Sequence, residues 1–182
     1  MRAARALYKA GRPSLAKLKA QVALPGALKG LEAKGLSIAL VARTRAYVAR
    51  AHALAGETEK AIELTEEVLR GAMACTLTGV VKDLELVNES DQARRLAKAI
   101  ATRDPGCDEA QSLRITLVAK HRSSRDAATL AEGIVKARTG LSLARNAWAC
   151  AALDAGDLEG ATLQASVPVE RGVMLDEATL VL

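Results

Sequence analysis

Apolar side chains recur along this chain at intervals of three and four residues, the spacing that places them on one face of an α-helix. After Gly56, Ala61, Leu64 and Val68 share one face, and Ile62 and Leu69 line an adjacent strip. Before Gly156, Leu143, Ala147, Cys150 and Ala151 form a comparable stripe. Between such stretches stand short polar junctions that repeat: GETEKA at 56–61, NESDQA at 88–93, RSSRDA at 122–127 and GDLEGA at 156–161. Their closing alanines, Ala61, Ala93, Ala127 and Ala161, recur at a nearly constant interval. A fifth junction, GRPSLA at 11–16, precedes the first of these by a longer one, so the N-terminal unit carries an insertion.

The junctions put polar or acidic residues at the head of the following helix, where they cap free N–H groups and oppose the helix dipole. Ser123 with Asp126 makes a loose capping box. The alanine just inside each second helix should sit where two antiparallel helices approach most closely. Each unit is thus expected to be a helical hairpin of roughly 34 residues, too small to bury its own apolar face. Stacking the hairpins would give an all-α fold, an α-solenoid with that period. A closed helical bundle is the alternative architecture. We expect an irregular, basic first segment over 1–37 and the repeats proper over 38–182.

Composition agrees with helices packed closely. Of 182 residues half are apolar, yet there is no Phe, only two Tyr and one Trp, so the core is drawn from Ala, Leu, Val and Ile. Sandwiches and barrels draw instead on β-branched and aromatic residues.

The net charge of +5 is unevenly spread. Residues 1–50 carry eleven Lys/Arg against the single acid Glu32, and the rest of the chain carries fifteen against twenty. A basic N-terminal third is expected to face something anionic, whether RNA, acidic lipid headgroups or an acidic protein surface; a solvated basic helix face without a partner is the alternative. Its acid-free stretch from Met1 to Leu31 also has the composition of an organelle transit peptide, although Ser14 is the only serine in it. The longest uncharged stretch, Gly71 to Val81, is eleven residues and cannot span a bilayer. Charges recur too often near the start for a secretory signal. Cys75, Cys107 and Cys150, odd in number and without a CxxC pair, argue against a disulfide framework or a zinc site and are expected to be small buried residues in a reducing compartment.

The segment AYVARAHALAGETEKAIELTEEVLR, 46–70, resembles tetratricopeptide and pentatricopeptide repeats alike, and Asp104-Pro105 resembles the former. The stretch from Leu141 to Leu182, LSLARNAWACAALDAGDLEGATLQASVPVERGVMLDEATLVL, is similar to a pentatricopeptide motif. It shares that motif's early Asn, its AG turn at Ala155-Gly156, Ala161 in the second helix, the RG turn at Arg171-Gly172 and Asp176 opening the next unit. Ala33-Lys34-Gly35-Leu36 echoes that inter-unit turn. The resemblance implies that Asn146 and Asp176, thirty residues apart, are a base-reading pair, since an amide and a carboxylate can address a Watson–Crick edge. It implies the same for Thr78 with Asp108 and, more weakly, Ser112 with Ser142. Ala46 with Thr76 fails, because Ala cannot hydrogen-bond. Ordinary helix capping is the competing role for all these residues.

No catalytic constellation stands in the sequence. His52 and His121 lie in different repeats without a ligand partner at helical spacing, and no phosphate-binding, dinucleotide, nucleophile-elbow or zinc-protease motif occurs. No enzyme activity, metal or cofactor is expected, and Trp148 is read as a core wedge. Two functions remain. One is a scaffold that docks among the protein subunits of a larger, organellar assembly, with Leu180, Val181 and Leu182 as an open apolar end. The other is binding of single-stranded RNA, with Arg43, Arg45 and Arg50 contacting phosphates. The basic N-terminus could also make a peripheral membrane contact.

Overall fold

The computed structural model describes residues 1–32, 35–71 and 73–170. The expectations placed on Ala33-Lys34, Arg171-Gly172, Asp176 and Leu180–Leu182 lie outside them. Every regular element among the described residues is helical. In chain order these are α1 (Arg2–Lys9), α2 (Pro13–Glu32), α3 (Ile38–Ala55), α4 (Thr58–Leu69), a 3-10 turn at Ala74–Leu77, α5 (Thr78–Leu86), α6 (Ser90–Arg103), α7 (Asp108–His121), α8 (Ser124–Ala137), α9 (Ser142–Asp154) and α10 (Leu158–Glu170).

The chain forms two compact units, residues 1–103 and 104–182, so the basic N-terminal segment is built into the first of them. In the first unit α1 packs on α2, α2 on α3, α3 on both α4 and α5, and α5 on α6. In the second, α7 packs on α8 and α9, α8 on α9, and α9 on α10. The two helices of each hairpin therefore pair, α2 also packs on α3 and α8 on α9, and the first helices α3 and α5, and α7 and α9, touch.

The alanines that close the five junctions all occupy the fourth residue of a second helix. Ala16, Ala61, Ala93, Ala127 and Ala161 are each no more than 1% exposed. A methyl group there lets two helix backbones come close while filling the space between them. The insertion in the first unit has a simple structural form. Helix α2 is six residues longer than α8, and α3 is five longer than α9.

Four of the five junctions use one turn. Gly11, Gly56, Asn88 and Gly156 adopt left-handed backbone at φ of 70°, 83°, 67° and 84°. The next residue's N–H then reaches back to the helix: Arg12 to the Leu7 carbonyl, Glu57 to His52, Glu89 to Leu84 and Asp157 to Ala152. At the remaining junction Arg122 keeps a negative φ, since its Cβ disfavours the left-handed region. There Ser123 caps α8 instead, its Oγ accepting from the Asp126 N–H at 3.0 Å.

Glycine has opposite effects at two sites in the second unit. Gly156→Ala should lower stability by about 1 kcal/mol, because an L-residue is strained at that φ. Gly133 lies inside α8, and a Cβ there meets nothing within 4 Å. Gly133→Ala should therefore raise stability by about 0.5–1 kcal/mol through helix propensity alone. Urea unfolding of the two variants checks both signs.

The first core contains Ala4, Ala20, Leu24, Val48, Ala51 and Leu54. The second contains Ile115, Ala127, Ala131, Val135, Ala144 and Ala147, with Trp148 half-buried against it. Tyr8 ties α1 down by donating its hydroxyl to the Leu54 carbonyl at 3.1 Å, and burial pushes its phenol up. The acid-free N-terminal segment thus supplies core and anchors to the first unit. No described helix is long and apolar enough to cross a membrane.

The cysteines depart from expectation. Cys75 and Cys107 are each disulfide-bonded, and only Cys150 keeps a thiol. An odd count excludes complete pairing but still leaves room for one bond and one thiol. The expectation of three reduced cysteines, and the argument from them for a reducing compartment, therefore falls.

Candidate functional site

Asp108 begins α7, and its carboxylate faces the head of α9. Oδ2 accepts from the Leu143 N–H at 2.8 Å, and Oδ1 accepts from the Ala144 N–H at 2.9 Å. These are orphan donors of the first turn of α9, which has no cap from its own neighbour Leu141. A negative charge at that helix terminus is favoured twice, by charge-assisted hydrogen bonds and by the helix dipole. Asp108 is thus a cap delivered across from one hairpin to the next.

The other predicted base readers are placed as follows. Asn146 lies in α9 and is 6% exposed. Thr78 is 5% exposed, and its hydroxyl donates to the Cys75 carbonyl at 3.2 Å. Ser112 in α7 and Ser142 at the start of α9 are half-buried. Thr78 belongs to the first unit and Asp108 to the second.

The three arginines predicted to contact phosphate divide. Arg43 is exposed. Arg45 pairs with Glu67 at 2.9 Å. Arg50 donates from Nε to Asp83 Oδ2 at 2.7 Å, while Arg5 Nε lies 2.6 Å from Asp83 Oδ1. The Arg5 contact is an ion pair without hydrogen-bond alignment. Asp83 itself is completely buried, and burial pushes its carboxyl above the ordinary range despite both guanidiniums.

Sequence reasoning missed this triad, although one signal was present. Asp83 stands among Val80, Val81 and Leu84, all fully buried, so an acid occupies the apolar side of α5. The identity of its partners, far away in sequence on α1 and α3, could not be read from that pattern.

His52 is 7% exposed, and its Nδ1 lies 2.8 Å from Glu57 at the turn after α3. Lys60 and then His52 hold the Glu57 carboxyl below its usual range. This histidine stitches a turn, the role a core histidine commonly has.

Apolar surface is left at several outer positions. In the first unit, a groove of about 250 Å³ is lined by Ile38, Val41, Ala42, Arg45, Val68 and Met73, with Ile38 84% exposed at its edge. In the second, Leu158 and Leu163 of α10 are 65% and 61% exposed. No protein-family model matches the chain, and no curated protein matches it.

Proposed function

We propose that the protein is a non-enzymatic helical-repeat scaffold, an α-solenoid of stacked hairpins that docks in a larger assembly through protein contacts. The observation that carries this reading is the position of Asp108. A base-reading carboxylate must be turned towards ligand, whereas both oxygens of Asp108 are engaged with backbone N–H groups of α9. The burial of Asn146 and Thr78 supports the same reading, as does the pairing of Arg45 and Arg50 with acids. The surface does offer apolar side chains for a protein partner: Ile38 and Leu40 on α3, and Leu158 and Leu163 on α10. Solenoids bind through extended faces of this kind. An organellar setting is part of the proposal, on the basic first fifty residues and the pentatricopeptide-like repeats.

A photo-crosslinking residue placed at Leu158 or Leu163 in the intact protein tests the reading in cells. Adducts that resist ribonuclease and yield to protease are expected. Adducts that ribonuclease removes would favour the RNA-binding alternative and overturn the scaffold.

A further inference from the structure

Helix α2 has two apolar sides, and only one is used by the fold. Ala16, Ala20 and Leu24 are buried, with Ala27 and Leu31 half-buried along the same line of the helix. On the opposite line, at offsets of three and four residues, stand Leu15, Leu18 and Val22, which are 48%, 55% and 70% exposed. Single exposed leucines need no explanation, but a continuous strip along two turns does.

The charges beside this strip are of one sign. Lys19 lies one turn beyond Leu15, and Lys29 lies two turns beyond Val22. Both are exposed, as are Arg12 and Lys17. No acid occurs on α2 before its last residue, Glu32. An apolar ridge bordered by lysines fits a surface that is apolar within and anionic at its boundary. A second copy docking through this face would bring lysine against lysine.

We propose that the outer strip of α2 is a peripheral membrane contact for bilayers bearing anionic headgroups. Leu15, Leu18 and Val22 enter the headgroup boundary, and Lys19 and Lys29 face the lipid phosphates and carboxylates. This inference is independent of the scaffold reading, since its residues take no part in the α10 face. It gives the basic N-terminal segment a partner of defined chemistry.

The test is co-sedimentation of the full chain with phosphatidylcholine vesicles, with and without phosphatidylserine. Partitioning is expected only with phosphatidylserine and should weaken as salt rises, because headgroup attraction is screened. Val22→Asp, at an exposed position, should lower partitioning at least about tenfold, as should the pair Lys19→Glu with Lys29→Glu. No partitioning into phosphatidylserine vesicles, or partitioning unchanged by both variants, would overturn the proposal. So would a dimer in sedimentation equilibrium that Val22→Asp dissolves, since the strip would then be covered by a second copy. In any of these cases the α10 crosslinks would still report on the scaffold reading.

Discussion

Arg50→Met should destabilise the protein by about 3–5 kcal/mol at neutral pH, the largest effect we expect from any exchange of one surface-reaching side chain. Asp83 is wholly buried on α5, and among the described residues Arg50 is the one guanidinium that donates an aligned hydrogen bond to it. Removing that donor leaves a carboxylate in a low-dielectric interior, with the less well aligned Arg5 and the more distant influence of the α-ammonium group. Asp83→Asn should cost far less, within about 1 kcal/mol of the parent, because it removes the buried charge and keeps the shape. The two guanidiniums reach solvent in part and can be hydrated when the charge is gone. Combining both changes should recover most of the Arg50→Met loss, and this non-additivity is the signature of the pair.

The pH dependence follows from the direction of the Asp83 shift. Burial raises its carboxyl in the folded state, so the folded chain binds that proton more tightly than the unfolded one. The charged form therefore contributes unfavourably above the raised pKa, and the penalty vanishes as pH falls below the ordinary carboxylate value of about 4. Without Arg50 the carboxyl moves higher still. The deficit of Arg50→Met should accordingly shrink as pH falls from neutral towards the carboxylate range, measured as the shift in urea midpoint against the parent. A deficit that stayed constant or grew on acidification would mean that Arg50 does not stabilise the Asp83 anion.

Asp108→Ala should destabilise by about 2–3 kcal/mol, since two charge-assisted hydrogen bonds to the first turn of α9 are lost together. The Leu143 and Ala144 N–H groups are partly buried, so water replaces the carboxylate poorly. Amide hydrogen exchange should quicken first at the head of α9. Asp108→Asn keeps an acceptor and should lose about half as much. A surface base reader would behave otherwise: its loss would leave unfolding and exchange unchanged.

The helical content and the hairpin junctions were legible because they follow from local rules. The spacing of Ala61, Ala93, Ala127 and Ala161 marks helix approaches, and Gly56 and Gly156 mark left-handed turns. The insertion before Ala61 was visible as a longer interval, but its form as two lengthened helices was not. Partners distant in sequence were illegible. An Asp at this position can cap a helix as well as address a base, and that Asp108 caps α9 became visible only from the placement of that helix. Arg45 and Arg50 looked available for phosphate because charge counts do not reveal Glu67 and Asp83 as their neighbours. The cysteines erred for a similar reason, since parity limits pairing without deciding it.

The most direct test of the scaffold reading is a fluorescence-anisotropy titration with short single-stranded RNAs, mixed-sequence and U-rich, at low and near-physiological salt. The account predicts at most weak association through exposed cations such as Arg43 and Lys29, lost as salt rises and indifferent to sequence. Binding that survives the higher salt and prefers one RNA would contradict it.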